Sequence, residues 1–178
     1  MRLRSRYERR PAAILWSALR GAAVLAVFLA SPGSARADDC ADAQDLYRRG
    51  FYEEYIDAMK AAGEHGAAEC LFRVGTVYRD GILTRQDLGT ALAWFRLAAA
   101  RDHPFAQFEL GTMYDLGQGV PQDYLEAVRW YRRAANQGFQ MAQHNLAVMY
   151  EEGLGVPRDP AGAALLYRMS TRRSSDAF

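Results

Sequence analysis

Between residues 104 and 139, apolar side chains recur three and four positions apart in two separate runs. A segment rich in glycine and proline, residues 117–121, lies between the runs. This spacing predicts two amphipathic helices, and the segment between them predicts where the first helix ends. The first run comprises Ala106, Leu110, Met113 and Tyr114, and the second comprises Ala127, Trp130, Tyr131 and Ala134.

The same pattern returns along the chain with a period of 36 residues. The repeated positions are Gly75 and Gly111; Tyr78, Tyr114 and Tyr150; Gly81, Gly117 and Gly153; Gly119 and Gly155; Asp87, Asp123 and Asp159; and Trp94 and Trp130. One pair of helices cannot bury its apolar faces alone, whereas stacked pairs can. The period therefore predicts an all-α fold, a right-handed α-solenoid of helix–turn–helix repeats. The glycine pairs recur with it, which indicates architecture rather than a phosphate-binding loop.

Several residues within one repeat have predictable structural roles. Asp123 follows the loop and predicts a helix N-cap, with Glu126 as its capping-box partner. Gly111 stands in mid-helix, where glycine costs about 1 kcal/mol relative to alanine, so we expect a neighbouring side chain to occupy the space. Trp94 and Trp130 recur with the period and are predicted to be core residues.

The first 37 residues differ in kind from the rest of the chain. They contain 7 arginines and 1 acidic residue, an apolar run at residues 21–30, and a small-x-small site that ends at Ala37. This order predicts a secretory signal peptide, residues 1–37, cleaved near Ala37. The run is shorter than the roughly 20 residues that span a bilayer, although an uncleaved anchor stays as the alternative. We expect an exported protein, periplasmic or secreted, with no membrane insertion after cleavage.

Net charge and cysteine content narrow the possible partners and the expected compartment. Residues 38–178 carry 15 basic and 20 acidic side chains, a net charge of −5. A chain without a basic stripe binds nucleic acid poorly, so we expect no nucleic-acid partner. Cys40 and Cys70 both fall in the part predicted to be exported, where disulfides persist. They are candidates for one disulfide, and two unrelated buried thiols are the alternative.

Residues 106–138 carry the pattern A-x3-L-G-x2-Y-x2-G-x-G-V-x2-D-x3-A-x2-W-x3-A-A-x2-G, which resembles the SEL-one-like repeat family, relatives of the tetratricopeptide repeat. The resemblance implies repeats at residues 67–103, 104–139 and 140–172, a shortened capping repeat at 38–66, and a polar tail at 173–178. The third repeat drifts, with Ala147 and Leu166 at the glycine and tryptophan positions, as a terminal unit should. The first repeat has Leu83 at the second loop glycine, so its loop is expected to differ.

The resemblance also suggests where a disulfide and a partner would lie. Cys40 would stand near the start of the shortened unit's first helix, and Cys70 near the start of the next, so a disulfide would tie the two units together. By analogy with tetratricopeptide repeats, the first helix of each unit lines a concave face that binds a partner. The candidate residues are Phe72, Thr76, Arg79, Phe105, Phe108, Thr112, Asp115, Met141, His144 and Glu151. The alternative is that the aromatic side chains among them are simply buried between helices.

Catalytic patterns are hard to find in this sequence. It contains no S-x-x-K, G-x-S-x-G or H-E-x-x-H, so no nucleophile–base pair or zinc site is recognisable. The three histidines, His65, His103 and His144, are predicted to be satisfied or solvated, and no cofactor is expected. We therefore expect a non-enzymatic module that binds another protein or peptide, as an adaptor or as a regulator of an envelope signalling or assembly system. The alternatives are a β-lactamase-like or peptidoglycan-active envelope hydrolase, and a structural component of an envelope complex.

Overall fold

The structure, a computed structural model, describes residues 39–171. The predicted signal peptide and the predicted tail at residues 173–178 lie outside the described residues. Residues 39–171 contain eight helices and no strand. The helices are α1 (Asp39–Arg48), α2 (Tyr52–Glu64), α3 (Ala68–Asp80), α4 (Leu88–Ala100), α5 (Pro104–Leu116), α6 (Tyr124–Asn136), α7 (Gln140–Glu152) and α8 (Pro160–Thr171).

The helices pack in chain order, which is the architecture that the period predicts. From α3 onward they form the pairs α3–α4, α5–α6 and α7–α8, and contacts between α4 and α5 and between α6 and α7 join one pair to the next. The shorter pair α1–α2 packs on α3. Consecutive pairs stacked in this way form an α-solenoid, in which each unit contacts only its neighbours.

Each of the three long loops is closed by the same backbone hydrogen bond. The N–H of Asp123 donates to the carbonyl of Tyr114 at 2.9 Å. Gly117 ends α5 with a φ of +67°, a left-handed conformation that favours glycine. These main-chain bonds join the two helices of each pair and fix the geometry of the loop. The recurrence of aspartate follows from its side chain, which accepts an N–H group at the start of the next helix in all three units. The equivalent main-chain bonds are Asp87 to Tyr78 at 2.9 Å and Asp159 to Tyr150 at 2.8 Å.

Asp123 also caps α6, as predicted. Its carboxylate accepts hydrogen bonds from the backbone N–H groups of Leu125 at 3.0 Å and Glu126 at 3.1 Å. The prediction of a capping box with Glu126 is wrong. A capping box needs the N–H of Asp123, which is already donated to Tyr114, and the Glu126 carboxylate pairs with Arg129 instead.

The first of these loops has Leu83, Thr84 and Arg85 where the others have glycine, valine and proline. Gly119 has a φ of +73°, and a Cβ there would lie 2.7 Å from the Cβ of Leu88 at the start of α4. Leu83, at the same position of the first loop, does not share the positive φ. Its side chain packs instead against buried residues of α1, α2 and α3. The expectation that this loop departs from the pattern is thus met at Leu83.

The mid-helix glycines make room for aromatic rings. A Cβ on Gly111 would lie 2.5 Å from Cδ1 of Tyr131, and a Cβ on Gly75 would lie 2.5 Å from Cε1 of Phe95. Both rings are fully buried, with exposures of 0%. Close packing at this position explains why the sequence accepts glycine in the middle of two helices despite its low helix propensity.

The tryptophans are not the core residues that the sequence predicts. Trp94 and Trp130 are only partly buried. Trp130 packs against the buried cluster that α3 and α4 of the preceding pair form with α5. Arg133 lies over its ring with Cζ 5.0 Å from the centroid. The neighbouring rings, Phe95 and Tyr131, fill the core instead, because only they face a glycine.

Cys40 and Cys70 come together where α1 packs beside α3. Their Cα atoms lie 5.6 Å apart, which is disulfide distance, and both side chains are buried. The structure thus brings together the two residues that the sequence nominates, and their pairing would fasten α1 to α3.

Within residues 39–171, every helix is too short or too polar to cross a membrane.

Candidate functional site

The first helices of the three full pairs, α3, α5 and α7, present equivalent side chains at four positions of the period. We call these twelve residues the front face. They are Glu69, Phe72, Thr76 and Arg79 on α3; Phe105, Phe108, Thr112 and Asp115 on α5; and Met141, His144, Val148 and Glu151 on α7. All the residues that the sequence nominates for partner binding belong to this set.

The beginning of each helix contributes apolar and aromatic side chains. Phe105 is 47% exposed and Met141 is 50% exposed, so both place large apolar surface in solvent. Phe108 is partly buried, with its ring centroid 5.8 Å from Tyr131. Phe72 is also partly buried, with its ring 5.7 Å from Phe95. Phe72 and Phe108 therefore belong partly to the core, whereas Phe105 and Met141 extend the apolar surface towards solvent.

Phe139 completes this aromatic group, and sequence reasoning missed it. Its ring centroid lies 4.6 Å from that of Phe105 and 5.3 Å from that of Phe108. Phe139 is the N-cap residue of α7 and stands 36 positions after His103, the N-cap of α5. The period contains this signal, because both residues are aromatic rings at one position. Both residues precede the helices that carry the periodic apolar face, so the apolar pattern alone does not assign them to the aromatic group.

His103 packs against Phe72, at one end of the aromatic group. Its Nδ1 accepts the N–H of Ala106 at 3.3 Å, so Nε2 carries the proton and donates to Glu69 at 2.9 Å. The ring also stacks on Phe72, with centroids 4.8 Å apart. Burial acts to raise the pKa of Glu69, but hydrogen bonds from Arg73 and His103 outweigh it and lower the pKa. His103 is thus a satisfied structural residue, as predicted.

The far ends of α5 and α7 carry carboxylates. Asp115 accepts a hydrogen bond from the hydroxyl of Tyr131 at 3.2 Å, and the same hydroxyl lies 3.2 Å from Oγ1 of Thr112. Glu151 accepts the hydroxyl of Tyr167 at 2.8 Å. Burial, with the Asp115 charge as a lesser cause, raises the pKa of Tyr131 to about 12. The hydrogen bond to Glu151 likewise raises the pKa of Tyr167.

The first pair ends differently at the equivalent position. Arg79 donates through Nε to Asp80 at 2.7 Å and through its guanidinium to Glu109 on α5. This triad crosses from one pair to the next and sets the single cation of Arg79 between two carboxylates. At this position the front face therefore carries a paired cation, Arg79, on α3 and carboxylates, Asp115 and Glu151, on α5 and α7.

Within residues 39–171, no group of three histidine, cysteine, aspartate or glutamate side chains is arranged to hold a metal ion. His144 is exposed and lies beside Tyr167, with ring centroids 5.3 Å apart. His65 ends α2 as its C-cap residue.

The comparison with protein families identifies the fold. The family model of the Sel1 repeat matches residues 68–103, 104–139 and 140–175. This chain belongs to the Sel1 repeat family. Sel1 repeats generally form non-catalytic scaffolds, and the repeats of this chain indicate a module for protein–protein interaction.

Two solved structures are similar to this Sel1 repeat chain. The first is c5321, a protective antigen of uropathogenic Escherichia coli strains described as displaying an SLR fold, with 35% identity over 67% of this chain and a TM-score of 0.64. The match covers 26% of that antigen, so this chain spans about a quarter of its length. The second is a Sel1 repeat protein from Oxalobacter formigenes, with 36% identity over 63% of this chain and 84% of that one, and a TM-score of 0.59. No curated protein matches this chain.

Proposed function

We propose that this Sel1 repeat chain is an exported interaction module that holds a partner polypeptide on its front face. It acts as an adaptor or as a regulator of an envelope signalling or assembly system. The observation that carries the proposal is the exposure of Phe105 and Met141 beside the partly buried rings of Phe108 and Phe139. Large apolar side chains held half in solvent, and surrounded by rigid aromatic packing, are typical of binding hot spots.

Export is supported by the sequence and by the cysteine pair. Residues 1–37 have the three parts of a secretory signal peptide. Cys40 and Cys70 lie at disulfide distance in a buried position, which fits an oxidising compartment such as the periplasm. Mass spectrometry of the secreted or periplasmic protein should find a mature chain that begins at Asp38. A chain that keeps Met1 in the membrane fraction would contradict cleavage.

Site-specific photocrosslinking in the native host tests the binding face. A benzophenone amino acid at Met141 should give discrete crosslinked products with one or a few partners. Leu97 on α4 is the matched control, since it is also apolar and half-exposed, at 48%, but lies outside the front face. Products that form equally from Leu97, or that survive Phe105→Ser, would contradict the proposed face.

A further inference from the structure

The carboxylates at the end of the front face have no cationic partner within residues 39–171. All the ion pairs of the described residues leave out Asp115 and Glu151, whose side chains accept hydrogen bonds only from tyrosine hydroxyls. By contrast, Glu69 is paired with Arg73 and His103. Among the residues that the structure describes, the carboxylates of the front face on α5 and α7 therefore lack the ion pairs that Glu69 has on α3.

These two carboxylates occupy equivalent positions on the first helices of successive pairs, at the opposite end from the apolar group. Asp115 lies ten residues after Phe105 on α5, and Glu151 lies ten residues after Met141 on α7. Ten helical residues rise about 15 Å at 1.5 Å each. An extended peptide covers the same length with roughly four or five residues. A single short segment laid along these helices can therefore contact both ends of the face.

A polar patch beside an apolar one limits the chemistry of the partner. A bound segment would cover Phe105 and Met141 with an apolar side chain and would bring its other end to Asp115 and Glu151. An acidic side chain there would meet two like charges, whereas a lysine or arginine would form ion pairs with them. The net charge of −5 for residues 38–178 adds long-range attraction for a basic partner.

We propose that the front face of α5 and α7 binds an extended peptide segment that carries a large apolar side chain and, about four or five residues away, a lysine or arginine. The apolar side chain packs on Phe105, Phe139 and Met141. The basic side chain pairs with Asp115 and Glu151, which fixes the position of the segment along the helices. The inference rests on the proposed function, to which it adds the chemical class of the partner.

Selection from a phage library of random 12-residue peptides on the immobilised protein tests the inference. The wild-type protein should enrich peptides in which a large apolar residue stands four or five positions from a lysine or arginine. The variant Asp115→Asn/Glu151→Gln should lose the preference for basic residues but keep the preference for apolar ones. The control variant Asp45→Asn/Asp57→Asn removes the same charge from α1 and α2, away from the front face, and should select as the wild type does.

Binding of one selected peptide gives the quantitative readout. Because the variant Asp115→Asn/Glu151→Gln removes two exposed ion pairs of about 0.2–1 kcal/mol each, it should raise the Kd by about twofold to thirtyfold. Its Kd should also depend less on salt between 50 and 300 mM NaCl than that of the wild type.

The possible failures separate the two proposals. Enriched peptides without a bias towards basic residues, or an unchanged Kd in the variant, would overturn the inference and leave the apolar binding face standing. Peptides that bind Phe105→Ser/Met141→Ser as tightly as the wild type would overturn the front face itself. A wild-type protein that enriches no peptide would overturn both.

Discussion

A Cβ on Gly111 would lie 2.5 Å from Cδ1 of Tyr131, closer than the two atoms can approach. Gly111→Ala should therefore destabilise the protein by about 1–3 kcal/mol, as overpacking in a core does, although alanine is the better helix former by about 1 kcal/mol. Chemical denaturation followed by circular dichroism measures the change. Gly89→Ala in the first turn of α4 is the control, because a Cβ there meets only a carboxylate oxygen of Asp87, at 3.4 Å. A Gly111→Ala variant as stable as Gly89→Ala would refute the close packing.

Tyr131 and its neighbour Trp130 should differ in their contribution to stability. Tyr131 is fully buried, so Tyr131→Ala should lower the free energy of unfolding by about 3–5 kcal/mol. Trp130 is partly buried and keeps Arg133 over its ring, so Trp130→Ala should cost clearly less despite the larger side chain. Urea unfolding of the two variants compares them directly. A greater loss from Trp130→Ala would show that the tryptophan, not the tyrosine, is the core ring.

Alkaline pH should weaken the fold through Tyr131. Its pKa is raised to about 12 by burial and, to a lesser degree, by Asp115. Because the folded state favours the protonated phenol, the contribution to stability is complete below pH 10, the ordinary pKa of tyrosine, and is lost as the pH rises through 12. The free energy of unfolding should therefore fall between pH 10 and 12. Tyr131→Phe should flatten this dependence, and equal slopes in the two proteins would contradict it.

The cysteine pair should be oxidised and should stabilise the array. A disulfide between Cys40 and Cys70, 30 positions apart, should contribute about 3–4 kcal/mol in the chain-entropy model. Thiol titration in denaturant should find no free cysteine in the exported protein. Cys40→Ala/Cys70→Ala should lower the free energy of unfolding by that amount. Two titratable thiols in the protein isolated without reductant would exclude the bond.

Substitutions at Asp123 and Glu126 should distinguish a simple N-cap from a capping box. Asp123→Ala should cost about 1 kcal/mol, because it removes the acceptor for two N–H groups at the start of α6. Glu126→Ala should change stability by less than about 0.5 kcal/mol, since its exposed ion pair with Arg129 contributes little. Thermal unfolding of both variants checks the difference. Equal losses of stability in the two variants would show that Glu126 takes part in a capping box.

The helix pairs were predictable from the sequence because their signals are local and repeated. Asp123 caps α6 where the loop pattern predicts, and Gly111 leaves space for a neighbour as its position in mid-helix predicts. Which neighbour takes that space was not predictable. Trp130 and Tyr131 are adjacent in sequence and both lie near the apolar side of the helix, so the choice between them depends on where α5 lies.

The front face shows the same division between what the sequence predicts and what only the packing of the helices decides. Its positions follow from the period, and so does the expectation that Phe72 and Phe108 share a stripe with Phe105 and Met141. Their burial does not, since Phe108 contacts Tyr131 only after α5 and α6 pack together. The role of Phe139 was also hidden, because it precedes α7 and gains its contacts with Phe105 from the stacking of one pair on the next.

The sequence by itself determined the repeat, its helix pairs and the Asp123 N-cap, because hydrophobic spacing and turn chemistry act over a few residues. It also determined the family, since 36-residue spacing places the same residues in every unit. Only the tertiary structure decided which aromatic ring is buried, which apolar side chains stay in solvent, and which carboxylates lack a cation. These properties depend on contacts between residues 16 to 36 positions apart, such as Tyr131 with Asp115 and Phe105 with Phe139, which no local pattern specifies.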